Sequence, residues 1–381
     1  MTIYYDVAAA VHARAGLGRY SESLARALLA DHGDQIAFFC NTDATVHDLA
    51  GLEKVPRRTV NAGYKRWRMQ VWLGQLLRLR FDQLLPDADL YHATEHLMMP
   101  LSGIPTVLTI HDLIYRLFPR YHKLLNYLYL NLAVPLFCRR ATAIIAVSQA
   151  TRRDLVRYYG IDPAKVTVIY EAAAAGFEPQ DPLAVAAVRA HYHLPERYLL
   201  TTCVIEPRKN HSRFLRAFDG LSRHDPDLYW VIVGSKGWLY RPFFQQLEGS
   251  PARERVIMPG YIRDVDLPAV YSGAVAFVFP SLYEGFGLPP LEAMACGIPV
   301  ISSDASSLPE VGGRAARYFD PHDEAQMLDV SRTVLADPDL QAEMRQQGLL
   351  QAAQFSWQRA ARETWAVYQR LISSHRKVSS T

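Results

Sequence analysis

Residues 280–299 read PSLYEGFGLPPLEAMACGIP. They follow a continuous apolar run, 274–279, of the kind shown by a strand buried on both faces. The run stops at Pro280. A turn carrying Glu284, Gly285, Phe286 and Gly287 follows, and Leu288-Pro289-Pro290 opens a helix with proline in its first turn. A strand that ends in a glycine turn and re-enters as a helix is the repeating unit of a parallel α/β sheet, and such sheets bind ligands at their strand ends. Backbone N–H groups at a helix start attract an anion, and the two glycines let a ligand approach the backbone. Glu284 precedes the helix and Glu292 lies on it, so the two carboxylates can hold different parts of one elongated ligand.

The same alternation extends in both directions. Upstream, strand patterns fall at 2–6, 35–40, 89–92, 105–110, 142–147 and 166–169, with helical periodicity at 21–30, 66–80, 121–139 and 148–159. Around 172–182 the texture changes to alanines, Gly176, Pro179 and Pro182, which reads as a boundary and linker. A second series then runs through strands at 198–205, 228–234, 255–262, 274–280, 299–303 and 316–319. Its helices fit 211–222, 264–272, 288–296, 323–336 and 338–353, and a last long helix starts near Ser356. The expectation is an α/β chain of two doubly wound, Rossmann-like domains, 1–175 and 190–355. Two such domains facing each other would leave a central cleft for substrate.

Composition narrows the class. Of the 381 residues, 50% are hydrophobic and 21% charged, which excludes a disordered chain. A net charge of +3 gives no argument for nucleic acid. Cys40, Cys138, Cys203 and Cys296 form no CxxC and read as buried small hydrophobes in a reducing compartment. No signal-like start and no apolar stretch of about 20 residues is visible, so the expectation is a cytoplasmic protein. The charge is uneven, however. From Lys54 to Arg80 there are eight basic residues and no acid, interleaved with Tyr64, Trp67, Trp72, Leu73, Leu76 and Leu77. Two readings stay open: an amphipathic helix in peripheral contact with an anionic membrane, or a helix packed on the N-terminal sheet with a basic outer face.

Three further places carry chemistry. Glu206-Pro207-Arg208-Lys209-Asn210 follows the strand at 198–205 and precedes a helix, and two adjacent cations there suit a diphosphate. Gly16-Leu17-Gly18 follows the first strand and can bring backbone N–H groups toward a phosphate or sugar. His111-Asp112 ends the strand at 105–110. Asp87-Ala-Asp89 and Asp264-Val-Asp266 mimic a DxD metal motif, but the first precedes a strand and the second opens a helix, where Asp caps. No metal role is assigned to either.

From Glu284 to Glu292 the chain matches the E-x7-E signature of retaining glycosyltransferases of the GT-B fold, and it resembles their large family 4. The resemblance also takes in the early glycine loop, His111-Asp112, Arg208-Lys209, Ser302–Gly312 and Phe355-Ser-Trp357. It implies that the final helix, 356–373, crosses back to the N-terminal domain. It implies that Glu292 binds the ribose hydroxyls of a nucleotide, and that Arg208 and Lys209 hold the diphosphate and stabilise the leaving group. Glu284 and the backbone of Gly285, Phe286, Gly287 and Leu288 would hold donor-sugar hydroxyls and phosphate. His111 would sit by the sugar and the acceptor, and Gly16 and Gly18 would cover the phosphate. Many relatives carry Asn-Gly where this chain has Tyr170-Glu171-Ala172, and Glu171 receives no role.

The subgroup it most resembles, mannosyltransferases of O-antigen and capsule assembly, implies GDP-mannose as donor, a glycan or lipid-linked acceptor, and neither metal nor cofactor. Segments near Gly234 and Tyr261–Arg263 are expected to contribute to base recognition. Competing readings are a UDP-sugar-dependent enzyme of the same fold, an epimerase or phosphorylase of that fold, a non-catalytic nucleotide-sugar-binding scaffold and, more distantly, an NAD oxidoreductase suggested by Gly16-x-Gly18.

Overall fold

The structure is a computed structural model and describes residues 1–43 and 47–379. The chain divides into two compact units. The first comprises Met1–Arg116, Leu124–Glu171 and Ser356–Thr381; the second comprises Leu117–Lys123 and Ala172–Phe355.

The first unit is built on strands β1 (Ile3–Asp6), β2 (Ile36–Thr42), β3 (Arg57–Asn61), β4 (Leu90–Ala93), β5 (Thr106–Ile110), β6 (Ala143–Ala146) and β7 (Val166–Val168). They form a parallel sheet in the order β3-β2-β1-β4-β5-β6-β7. The second unit holds β8 (Tyr198–Thr202), β9 (Tyr229–Val233), β10 (Val256–Ile257), β11 (Ala276–Phe279), β12 (Val300–Ser303) and β13 (Ala316–Phe319), also parallel, in the order β10-β9-β8-β11-β12-β13. Strands such as IAFFCN and AFVF are buried on both faces, which is why they read as unbroken apolar runs. Helices close the layers. In the first unit Trp67, Val71, Val134 and Phe137 pack with Phe39, Tyr91 and Leu108. In the second, Trp230 is ringed by Phe214, Phe218 and Phe243.

Each sheet reverses its strand order once, between β1 and β4 in the first unit and between β8 and β11 in the second. Connections leaving neighbouring strands at such a point go to opposite faces, so a crevice opens at the carboxyl ends. Arg14 and Glu95 meet across the first point, and Arg208 and Glu284 across the second.

Several expectations need correction. Gly16 and Gly18 are not in a turn: the helix Ala15–His32 already includes both in its first turn. The run Lys54–Arg80 is not one helix, because Arg57–Asn61 is the edge strand β3 and only Tyr64–Leu76 is helical. The latter helix packs on the sheet through Trp67 and Val71. The 172–182 linker ends in a helix, Pro182–His191, capped by the Asp181 carboxylate, which accepts from the N–H groups of Leu183 and Ala184. The first unit is also not contiguous over 1–175. Leu117–Lys123 groups with the second unit, where Phe118 stacks on Tyr121 and tilts against Tyr283, and Lys123 lies over the Trp238 ring.

The last helix, Trp357–Ser379, belongs to the first unit, although the residues that precede it in the chain belong to the second. Trp365 stacks on His32 with ring centroids 3.6 Å apart, Trp357 lies edge-on to Tyr20, and the Tyr368 hydroxyl bonds buried His92. Burial lowers the His92 pKa to about 3, so that ring is neutral. Asp89 ties Arg376 (2.8 Å) and the Thr2 N–H (2.8 Å) together. In one of the DxD-like pairs, Asp89 is thus committed to the chain's own groups. In the other, Asp266 is held by Arg263 and the Tyr192 hydroxyl.

Candidate active site

In the second unit the crevice between β8 and β11 is bridged by charge. β8 leads into a short turn of 3-10 helix, Pro207–Lys209, which ends at Asn210 in the left-handed conformation (φ 61°). Asn210 is fixed there because its amide donates to the carbonyls of Pro280 (3.0 Å) and Pro321 (2.8 Å). Arg208 and Lys209 are thereby aimed across at the chain leaving β11. Glu284 Oε1 accepts from Arg208 Nη1 (2.8 Å), Lys209 Nζ (2.7 Å) and Ser281 Oγ (2.5 Å). Arg208 also donates to the Tyr283 carbonyl (2.6 Å) and to Glu206 (2.7 Å). Burial opposes ionisation of Glu284, but the two cations outweigh it and hold the carboxyl below the usual range. The result is a partly buried pair of cations on a single carboxylate oxygen, a natural seat for phosphate oxygens.

The turn that follows is held from behind. The Glu284 N–H donates to Ser306 Oγ (2.8 Å), and Ser307 Oγ donates to the carbonyls of Glu284 (3.0 Å) and Phe286 (2.5 Å). Gly287 has φ 121°, and a methyl group there would meet Leu308 at 2.9 Å, so this position requires glycine. The helix Leu288–Ala295 starts at once. Pro289 and Pro290 carry no N–H, so of its first four positions only Leu288 and Leu291 have one, and that of Leu291 turns back to the Gly287 carbonyl (3.4 Å). The helix start therefore offers fewer donors than its sequence position suggested, and the side-chain cations carry more of the anion-binding capacity. One turn on, Glu292 is buried and accepts from the Tyr271 hydroxyl (3.0 Å), which also bonds Thr202 at the end of β8.

Of the segments expected near a base, Gly234 is needed for packing: a methyl group there would fall 1.9 Å from the Cys203 carbonyl oxygen. β10 stops at Ile257, which leaves Tyr261 exposed in a loop while Arg263 is paired to Asp266 (2.7 Å).

In the first unit, His111 stands just past the end of β5. Nε2 is 3.0 Å from the Thr94 carbonyl and Nδ1 is 3.1 Å from Glu171 Oε1. Both partners are pure acceptors, so the ring satisfies both only as the imidazolium, donating from each nitrogen. Burial works against that charge, but the Glu171 carboxylate outweighs it and raises the histidine pKa. Its carbonyl is anchored too, by Thr151 Oγ1 (2.9 Å), and Tyr20 lies edge-on at 4.6 Å. The contacts of His111 thus favour the protonated ring, with both N–H groups already taken. Its neighbour Asp112 turns the chain by accepting from the Ile114 N–H (2.9 Å).

The early glycines play different parts. A methyl group on Gly18 would lie 3.0 Å from the Ala9 carbonyl oxygen, so this glycine lets its helix pack against Ala8–Val11. Gly16 has nothing within 4 Å of that position.

Two groups of residues escaped the sequence reading. One is Glu171. The other bridges the β1–β4 crevice as Arg208 and Glu284 bridge β8–β11. Arg14, after β1, donates to buried Glu95, after β4, and to the Tyr64 hydroxyl (2.7 Å). Its guanidinium lies 4.5 Å from the Tyr64 ring centre, and Arg68 lies 3.8 Å over Tyr129. Arginines, a carboxylate and half-buried tyrosine rings at a strand-end crevice suit sugar hydroxyls. The one available signal was Arg14 immediately before the glycines. Among the described residues, no group of three His, Cys, Asp or Glu is placed to hold a metal ion.

Comparison with known proteins agrees with this construction. Solved glycosyltransferases share the fold. Sucrose-phosphate synthase of Thermosynechococcus elongatus matches with a TM-score of 0.76 over 98% of this chain and 100% of that one, at 20% identity. HepE of Anabaena in complex with UDP and glucose matches at 0.73 over 97% and 99%, at 19% identity. The fold is that of the GT-B glycosyltransferases. The model for glycosyl transferases group 1 matches residues 191–351, and that for glycosyltransferase family 4 matches residues 14–173. O-antigen chain mannosyltransferase B of Escherichia coli is 33% identical over 267 residues, 70% of this chain and 70% of that protein. The chain belongs to glycosyltransferase family 4. The serotype-specific mannosyltransferase WbdA of Escherichia coli is 35% identical over 246 residues, 63% of this chain but only 30% of WbdA. The chain therefore matches less than a third of that relative's length.

Proposed function

We propose that this protein transfers a mannosyl residue from GDP-mannose to a glycan or lipid-linked acceptor with retention of configuration. The observation that carries the proposal is the Arg208–Lys209–Glu284 cluster, in which two partly buried cations share one carboxylate oxygen at the β8–β11 crevice. Nucleotide-sugar cleavage builds negative charge on the departing diphosphate, and fixed cations in a dry site lower that barrier. In this reading Arg208 and Lys209 bind the diphosphate and displace Glu284, which is then available to a donor-sugar hydroxyl. Glu292 takes the ribose, and no metal is needed. In the first unit, the imidazolium of His111 supplies positive charge, Gly16 is the glycine with room for a phosphate, and Arg14, Glu95 and Tyr64 take acceptor hydroxyls. The mannosyl and GDP assignments are supported by the O-antigen mannosyltransferases among the relatives. The proposed location is the cytoplasmic side of a membrane, with peripheral contact through Lys54–Arg80.

A thermal-shift panel with GDP, UDP, ADP, GDP-mannose and UDP-glucose tests the donor. A ligand at ~100 times its Kd adds about 2.7 kcal/mol of apparent stability. Shifts with GDP and GDP-mannose alone are expected. Shifts with UDP ligands instead would replace the donor, and none at all would favour a scaffold role. Proton NMR of the anomeric centre of the first product reports retention or inversion, and activity undiminished by EDTA is expected.

A further inference from the structure

The outer layer of the first unit carries a feature that the candidate sites do not use. Helices Tyr64–Leu76 and Leu124–Arg140 lie side by side. Arg68 donates to Asn126 (2.9 Å), Trp72 meets the Tyr129 ring at 6.0 Å, and Arg140 donates to Gln75 Oε1 (2.9 Å). Trp67 and Val71 of one helix and Val134 and Phe137 of the other enter the same core, so both helices cover one face of the sheet. At about 3.6 residues per turn, Met69, Leu73 and Leu76 fall on the side of the first helix opposite its core contacts. Leu125, Leu128 and Leu132 do the same on the second. These six are 45–82% exposed.

An amphipathic helix normally turns its apolar stripe inward. Here each helix has a second stripe turned outward, and the two stripes share one surface. Arg66 and Arg80 flank the first and Arg139 ends the second. From Lys54 to Arg80 and from Leu124 to Arg153 no charged side chain is acidic. Exposed apolar surface of this extent marks an interaction site. The uniform charge selects the partner: a second copy docking through the same patch would set cation against cation, whereas an anionic lipid surface offers headgroups to the arginines and an acyl boundary to the leucines.

We propose that these two helices form a single docking face for an anionic lipid bilayer. The proposal extends the membrane contact of Lys54–Arg80 to a second helix and places half of the inserted apolar surface on Leu125, Leu128 and Leu132. It requires neither donor nor acceptor, so it stands or falls separately from the mannosyl reading.

The full chain is sedimented with vesicles of phosphatidylcholine, with and without phosphatidylglycerol, at low and high salt. Binding to the mixed vesicles that weakens with salt is expected. Leu125→Ser/Leu128→Ser/Leu132→Ser should lower partitioning at least ~10-fold with an unchanged unfolding midpoint. Arg66→Gln/Arg80→Gln should lower it and flatten the salt dependence. A Leu125→Cys variant carrying a polarity-sensitive dye reports burial of that position even where the triple variant does not fold. Its emission should shift to the blue only with anionic vesicles. The proposal is overturned by equal binding to phosphatidylcholine alone, by wild-type partitioning of a folded triple variant, by an unshifted dye, or by a dimer in solution that the leucine changes abolish.

Discussion

His111 and Glu171 show how one contact fixes a charge. With Thr94 O on one side of the ring and a carboxylate on the other, a neutral imidazole would leave one acceptor without a proton. Glu171 raises the proton affinity of the folded ring above its ordinary value of 6.5. The pair therefore stabilises the fold fully below pH 6.5, and that contribution fades as pH rises through the raised pKa. Glu171→Gln should cost about 1–2 kcal/mol in urea unfolding at pH 6 and much less at pH 9. A cost that does not change with pH would reject the imidazolium. Glu284 makes a complementary case. Glu284→Ala should cost about 3 kcal/mol, because it removes the carboxylate between two half-dry cations. GDP should then stabilise the variant more than the wild type, since no internal carboxylate competes for Arg208 and Lys209. An equal or smaller shift would place the diphosphate elsewhere.

At the scale of elements, the two glycines of the first helical turn should behave oppositely. Gly16→Ala adds a methyl group into open space within a helix and should raise stability by about 0.5–1 kcal/mol. Gly18→Ala forces a methyl group onto the Ala9 carbonyl and should cost about 1–3 kcal/mol. Urea midpoints of the two variants decide this, and a Gly16→Ala protein that is more stable but slower would support a phosphate-covering role for that turn. What the sequence made legible follows burial. Strands sunk on both faces announced themselves as apolar runs. β3, reading RRTVN, did not, because an edge strand buries little. The helix Pro182–His191 has no fully buried residue, and Pro179 and Pro182 give its start the texture of a linker. Arg208, Lys209 and Glu284 were visible because each lies beside its own strand end. The pairs Arg14–Glu95 and His111–Glu171 join residues 81 and 60 positions apart, and only the strand order brings them together.

At the scale of the molecule, the last helix is part of the first unit's core. Trp357, Trp365 and Tyr368 are buried against that unit, and Tyr368 bonds His92 on its central strand β4. A chain cut after Phe355 should lose the cooperative unfolding of the first unit, while the second, whose own core omits the helix, survives limited proteolysis as a fragment near 172–355. An unchanged unfolding profile would show the helix to be an accessory.

The same arrangement bears on how the protein is made. Most of the second unit is, in chain order, an insertion within the first: residues 172–355 emerge from the ribosome before the last helix, which packs on the first unit. At about 5–20 residues per second, the N-terminal half waits roughly ten to forty seconds with the surfaces of Tyr20, His32 and His92 uncovered. Synthesis order is thus the reverse of completion order. The later-born unit can finish folding first, while the earlier-born one waits for its last helix.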